Sequence, residues 1–329
     1  MSENLASLLA LARQGLSHFD IESDARVDLI NLSENATYRI APRAGPCFAL
    51  RVHREGYHSR MAIDSELAWM MALRDAGVAI TPRPVLGRDG AYIQDVYSAA
   101  LMAGRQVVLF AWEDGRQPLM SDALEKPFEA LGEVAARMHI HSRSWVRPER
   151  FQRFTWNFET SLGEAQPHWG QWRDGLGMDV PRIKLFGRAV DLIKQRLMAY
   201  GKGADRFGLV HGDLRLANVL IDGSNVKVID FDDCGFSWFM YDAATTVSFY
   251  EDDAKVPGLM ESWKSGYRRF AHLSIEDENE ISTFIMLRRL LLVAWIGSHR
   301  ETELAQAMGL DYTQGTAALC EKYLSAFSK

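Results

Sequence analysis

The stretch "LVHGDLRLANVLIDGSNVKVIDFDD", Leu209 to Asp233, sets His211, Asp213, Asn218 and Asp230 among runs of Val, Leu and Ile that read as strand. Within it, "NVLIDGSNVKVID" carries Asp222-Gly223 between two aliphatic and β-branched runs, a strong hairpin signal. If Ile221 pairs with Val226, Asn218 falls opposite Ile229 and next to Asp230. An amide oxygen and a carboxylate then reach the same end of one ribbon. Strict alternation would turn those two side chains to opposite faces, so a strand end or a bulge must re-aim one of them.

Oxygen ligands gathered in this way suit a hard cation such as Mg²⁺, which commonly takes few protein ligands and fills its shell with phosphates and water. Asp213 stands in the loop leading into the hairpin, where it could take a hydroxyl proton. H-x-D, four residues, N, and then a strand closed by an aspartate is the layout that phosphoryl transfer uses. A lone Asp or Asn beside a hairpin is ordinarily a turn or cap residue. The ordered string from His211 to Asp233 favours the functional reading. Asp232 could add a metal or water ligand, and Asp233 reads as solvated.

Outward from this stretch, the chain of 329 residues is about two domains long by the usual length prior, and its 47% hydrophobic content can fill substantial cores. A net charge of −6 gives no basic footprint for nucleic acid. Cys47, Cys234 and Cys320 are scattered and show neither disulfide nor zinc spacing. The N-terminus lacks the basic start of a secretory signal, and "LLLVAWIG" is too short a run to span a bilayer. The expectation is a cytoplasmic protein with no membrane segment.

Two unlike halves emerge. Residues 26 to 112 hold the β-like runs "ATYRI", "CFALRVH", "AYIQDVY" and "RQVVLFAW", interrupted by the helix "MAIDSELAWMMALRDAG" and preceded by a first helix. From about residue 120 the pattern is helical, as in "EKPFEALGEVAARMHIHS" and the segments 182–200 and 277–297. The expected class is α+β: a bilobal chain with a small β-rich lobe over 1–112, a hinge over 113–119 and a larger helical lobe over 120–329, with a cleft between lobes.

With "HGDLRLANVLI…VIDFDD", the chain resembles the aminoglycoside phosphotransferase and choline kinase-like superfamily, in which this signature replaces the H-R-D and D-F-G motifs of protein kinases. Further matches are "SENATYRI", "FALRVHREGYHS", "SELAWMMAL" and "LGEVAARMHIHSRSW". The Arg-bearing strand and the "MHIHS" segment are most similar to the branch of bacterial stress-response Ser/Thr kinases, with homoserine and hydroxylysine kinases near it. The resemblance implies a protein-kinase-like fold, ATP as donor, Asp213 as catalytic base, and Asn218 with Asp230 as Mg²⁺ ligands. It places "SEN" over the phosphates, through backbone N–H groups and the Ser33 or Asn35 side chain, because no G-x-G-x-x-G loop is present. It makes Phe110 to Glu113 the segment that meets adenine, with Trp112 either stacking there or packing.

The residues themselves support two more roles. In "CFALRVH" alternation turns Phe48, Leu50 and Val52 to one face and Arg51 to the other. Arg51 occupies the place where these kinases usually carry lysine. Glu66 lies beside the inward stripe of its helix, where a carboxylate is costly unless paired, and Arg51 is its natural partner. Such a pair would present a guanidinium with two parallel donors to the phosphates. The alternative is an ordinary surface ion pair.

Arg215 either neutralises the transferring phosphoryl group or forms a structural salt bridge. His211 reads as an ordering histidine, and Asp242 as a helix cap or a brace for the catalytic loop. Trp156, Trp169, Trp172, Trp238 and Tyr250 lie in segments that could line an acceptor site, though most should be core. Glu251, Asp252 and Asp253 would suit an amine-bearing acceptor or form a solvated loop. The partners expected are ATP and a hydroxyl-bearing small molecule, with a protein Ser/Thr acceptor or a nucleotide-binding module without turnover as alternatives.

Overall fold

The computed structural model describes residues 5–33, 35–98 and 103–327. The chain divides into two compact units, Met1–Gly115 with Arg147–Arg153, and Arg116–Val146 with Phe154–Lys329.

The first unit comprises α1 (Leu5–Leu16), β1 (Arg26–Leu32), β2 (Ala36–Ala41), β3 (Phe48–Val52), α2 (Arg60–Asp75), β4 (Ile93–Ser98) and β5 (Ala103–Ala111). Its strands form one antiparallel sheet in the order β1-β2-β3-β5-β4. Tyr38, Ile40, Leu50, Val52, Val107 and Leu109 share a buried core with Leu8, Leu11, Ala12 and Leu16 of α1. Each such aliphatic side chain contributes about 1.5–3 kcal/mol on full burial, which fixes the register of β3 and leaves Arg51 for the opposite face. β1 was not legible as a strand in the sequence. A register shift between Leu29 and Asn31 breaks its alternation, and as an edge strand it leaves Leu29, Ile30 and Leu32 exposed.

Helix α2 starts at Ser59, whose side chain accepts from the Ala62 N–H. It ends where Gly77 N–H bonds to Arg74 O and Val78 N–H to Leu73 O, a Schellman closure that agrees with the glycine read as its end signal. Between these ends Ile63, Glu66, Leu67 and Met70 are buried.

The second unit holds α3 (Glu125–Ser144), β6 (Phe154–Thr155), α4 (Phe158–Ser161), α5 (Val180–Tyr200), β7 (Phe207–Val210), β8 (Val219–Asp222), β9 (Asn225–Val228), β10 (Gly235–Trp238), α6 (Phe239–Thr245), α7 (Val256–Arg268), α8 (Ile275–Ser298) and α9 (Glu303–Phe327). A small sheet runs β6-β10-β7, and β8 and β9 pair as a separate hairpin. Among the described residues α8 has the length and apolar character of a membrane span, yet most of it is buried inside this unit. Phe284, Leu287, Leu290, Leu291 and Val293 are interior, and the helix packs on α5, α6 and α9. A helix apolar on every side is what a core position selects. The α+β class with an N-terminal antiparallel sheet and a larger helical part is the one expected.

Candidate active site

The hairpin forms in the expected register, with Ile221 opposite Val226 and Val219 opposite Val228. Its two-residue turn is Gly223-Ser224 rather than Asp222-Gly223, because Asp222 still pairs with Asn225. Gly223 takes φ +60°, as the first position of a II′ turn demands. At the open end Ile229 N–H donates to Asn218 O at 2.9 Å, so Asp230 follows the residue bonded to Asn218. The alternation that should separate the two side chains is interrupted on both sides. Asn218 closes a short 3₁₀ turn, Leu216–Asn218, and Asp230 adopts φ +61°. An aspartate in that region costs something and is found where the surrounding structure imposes it.

Asp213 sits in the loop after β7, held by three side chains. Its Oδ1 accepts from Arg288 Nη2 at 2.5 Å, and its Oδ2 from Arg215 Nε at 3.0 Å and Asn218 Nδ2 at 2.7 Å. Burial pushes the Asp213 carboxyl up, but the guanidinium groups of Arg215 and Arg288 outweigh it and hold it below the usual carboxylate range. Arg215 is raised in turn: burial disfavours its charge, and Asp213 more than restores it, with Asp230 adding to the effect. The salt bridge at 3.0 Å places Arg215 directly against the Asp213 carboxylate.

Asp213 N–H donates to His211 Nδ1 at 3.2 Å, which leaves Nε2 as the protonated nitrogen, donating to Ile229 O at 3.2 Å. His211 thus ties the loop that carries Asp213 to the end of β9 and orders it, as its sequence context suggested. Asp242 braces the same loop from α6 and does not cap that helix. Its Oδ2 and Oδ1 accept from the backbone N–H groups of His211 at 3.1 Å and Gly212 at 2.8 Å. Gly212 has φ +81°, and a Cβ there would meet the Asp233 carbonyl oxygen at 2.5 Å. Only glycine fits.

Beneath Asp242, His139 Nε2 lies 3.0 Å from Oδ2 and His139 Nδ1 3.1 Å from the Tyr267 hydroxyl. Burial lowers the pKa of His139 despite Asp242, while Asp242, which burial would raise, is lowered overall by its bonds to His139 and the loop.

In the first unit Arg51 Nη1 donates to Glu66 Oε1 at 2.6 Å, with side chains 8% and 0% exposed. A surface ion pair is excluded. The Arg51 guanidinium lies over the Phe110 ring at 5.3 Å. Phe110 is buried in β5, where its ring backs this pair. Trp112 N–H bonds to Cys47 O at 3.2 Å, and the Arg39 guanidinium stacks 5.1 Å from its ring. The Glu113 carboxylate accepts from Arg74 at 2.7 Å. Ser33 accepts from Asn31 Nδ2 at 3.4 Å, and Asn35 Oδ1 accepts from Arg54 N–H at 3.1 Å, so that oxygen is committed to backbone.

The aromatics divide as expected. Trp156, Trp172 and Trp238 are interior, while Tyr250 is partly exposed. Trp169 stacks on Arg288 at 5.1 Å, and the Phe249 ring lies 5.8 Å from Arg215, so these two rings neighbour Asp213's cationic partners. The acidic cluster requires a correction. Glu251 is neither solvated nor open to an amine. It is buried, accepting from Arg289 Nη1 at 2.7 Å and the Tyr312 hydroxyl at 2.9 Å. Asp232, too, is buried, and Asp233 is half-buried with its carbonyl bonded to Trp156 Nε1 at 2.8 Å. Arg288 was missed in the sequence, although two adjacent arginines inside the apolar run "FIMLRRLLLVAWIG" were a signal that something anionic meets α8.

The donor set fits a hard divalent cation. Both partners of Asn218 Nδ2, the Asp213 carbonyl at 2.9 Å and Oδ2, can only accept, so the amide oxygen faces away from Asp213. It stands at the end of the hairpin that also carries the Asp230 carboxylate, both of them oxygen ligands of the type Mg²⁺ takes.

A family model described as the phosphotransferase enzyme family matches residues 29–273. Amicoumacin kinase of Bacillus subtilis (strain 168) is 26% identical over 274 residues, 79% of this chain and 76% of that protein. The solved structure of a microcompartment-associated aminopropanol kinase is 42% identical with a TM-score of 0.89, covering 96% of this chain and 98% of that one. An amicoumacin kinase in complex with AMP-PNP and Ca²⁺ superposes with a TM-score of 0.77 at 21% identity, over 99% and 94% of the two chains, a likeness of fold.

Proposed function

This chain belongs to the phosphotransferase enzyme family, and from that premise we propose that it transfers the γ-phosphoryl group of ATP, with Mg²⁺, to the hydroxyl of a small amine-bearing alcohol. The observation that carries the reading is Asp213, a buried carboxylate fixed by Arg215, Arg288 and Asn218 on a loop that three backbone-directed bonds hold in place. The amine-bearing class is supported by the relative at 42% identity, which is named for aminopropanol.

In this reading Asp213 accepts a hydrogen bond from the acceptor hydroxyl and aligns its oxygen on the γ-phosphorus. As the O–P bond forms, the proton passes to Asp213 and ADP leaves with the electrons of the broken P–O bond. Asn218 Oδ1 and Asp230 would hold Mg²⁺, whose contribution is to neutralise phosphate charge. The Arg51 guanidinium, fixed by Glu66, takes the phosphate-holding role. Arg215 offers the remaining face of its guanidinium to the charge on the transferring group.

The test is ADP release with MgATP against ethanolamine, 1-amino-2-propanol, 3-amino-1-propanol and homoserine, each beside the alcohol lacking the amine, with casein as a protein acceptor. The proposal expects turnover with at least one amino alcohol and a lower kcat/KM for its deaminated partner. Transfer to casein alone would select the protein-kinase reading. Nucleotide binding without transfer to any acceptor would select the non-catalytic one.

A further inference from the structure

Resting on the kinase reading above, the geometry points to Arg288 as the positioning residue of the transfer reaction and to Asp213 Oδ1 as the atom that receives the acceptor hydroxyl. A carboxylate offers about four lone-pair sites, two on each oxygen. Oδ2 has both committed, to Arg215 Nε at 3.0 Å and Asn218 Nδ2 at 2.7 Å. Among the described residues Oδ1 has one donor, Arg288 Nη2 at 2.5 Å. The uncommitted direction is therefore on Oδ1, beside Arg288, and the Asp213 side chain keeps 12% exposure by which a ligand can approach.

Arg288 is built to hold that oxygen still. With Oδ2 alone anchored, the carboxylate could turn about its last side-chain torsion, and an anchor on Oδ1 sets its plane. The guanidinium is itself immobilised: Nε donates to Ser248 Oγ at 3.1 Å, Nη1 to the Tyr241 hydroxyl at 3.1 Å, and the group lies over the Trp169 ring at 5.1 Å. A guanidinium with 2% exposure in an apolar helix is costly unless paired, and its direct carboxylate partner among the described residues is Asp213. The adjacent Arg289 provides a comparison within the same helix. It bonds Thr316 Oγ1, Glu251 and the Tyr312 carbonyl and makes no contact with Asp213. Arg289 therefore holds α9 and the segment around Glu251, while Arg288 holds the catalytic carboxylate.

The experiment compares wild type, Arg288→Met, Arg288→Lys, Tyr241→Phe and Arg289→Met, using MgATP and the panel amino alcohol with the highest kcat/KM. Arg288→Met should lower kcat about a hundredfold, the scale of an ångström-level misplacement. Its KM for ATP and for the amino alcohol should stay within about threefold, as expected when the lost interaction acts only at the transition state. Arg288→Lys, which keeps a charged donor for Oδ1, should recover about tenfold of that loss. Should Arg288→Met fail to fold, Tyr241→Phe loosens Arg288 without altering Asp213 or the packing, and should lower kcat about three- to tenfold at unchanged KM. Arg289→Met should lower Tm while keeping kcat per folded molecule within about threefold of wild type.

The inference is overturned if Arg288→Met and Tyr241→Phe keep wild-type kcat, if their effect falls on KM alone, or if the Arg288 and Arg289 variants lose kcat in parallel with folded fraction. A wild type that transfers to no panel member overturns the kinase reading first, and this inference with it.

Discussion

Replacing Arg51 with methionine should destabilise the first unit far beyond the loss of a surface contact. The pair with Glu66 is 2.6 Å long, and Glu66 is fully buried. Among the described residues its Oε2 has no hydrogen-bond partner, so Arg51 is the donor that the carboxylate depends on. Removing Arg51 strands a buried negative charge, which in comparable pairs costs about 3–5 kcal/mol, against about 1 kcal/mol or less for an exposed pair. The double variant Arg51→Met/Glu66→Leu removes both charges and should return to within about 1 kcal/mol of wild type, so the two substitutions couple by about 3 kcal/mol. Urea unfolding of the full chain, with hydrogen exchange on the amides of β3 and α2 to locate the loss, reads this directly. In parallel, ATP affinity of the single variant should fall roughly ten- to a hundredfold, the worth of a charge-assisted phosphate contact. A cost under about 1 kcal/mol for Arg51→Met, or additivity in the cycle, would show that Glu66 does not depend on Arg51.

Gly212→Ala forces a left-handed alanine, worth about 1–2 kcal/mol on its own, and drives a Cβ against the Asp233 carbonyl. A Tm lowered by several degrees together with a loss of transfer is expected, and an unchanged Tm would contradict the loop geometry. His139 is held neutral by burial, with Asp242, Tyr267 and Arg143 as its polar surroundings, and its pKa lies below the ordinary value of 6.5. Its folded state therefore binds fewer protons than the unfolded state. The stability it contributes is complete above 6.5 and is lost as pH falls from there toward the folded pKa, at about 1.4 kcal/mol per pH unit at most. His139→Gln should flatten the decline of urea midpoint between neutral pH and pH 5.5, and an identical slope would exclude His139 as its source.

The string from His211 to Asp233 was legible as a loop and hairpin because its order, spacing and turn are local, and local chemistry is what a single sequence displays. The Arg51–Glu66 pair was legible as well, since strand alternation turned Arg51 away from the apolar row of β3 and helix periodicity put Glu66 beside the inward stripe of α2. Arg288 was not, because it reaches Asp213 across 75 residues of chain and only the packing of α8 behind the Asp213 loop brings them together. Glu251 was misread for the same reason: its partners come from α8 and α9, far along the chain. The convergence of Asn218 and Asp230 could be demanded from the sequence but not explained. The answer lay in two backbone departures, a 3₁₀ turn and a left-handed aspartate, at positions where no glycine announced them.

In the proposed reaction Asp213 aligns an acceptor hydroxyl for attack on ATP. Single-turnover transfer from MgATP to the preferred amino alcohol, measured for wild type and Asp213→Asn with ATP binding followed by calorimetry, tests it most directly. The Asp213→Asn transfer rate should fall about 10²–10⁴-fold with ATP affinity within about threefold of wild type. A wild-type rate in Asp213→Asn would contradict it.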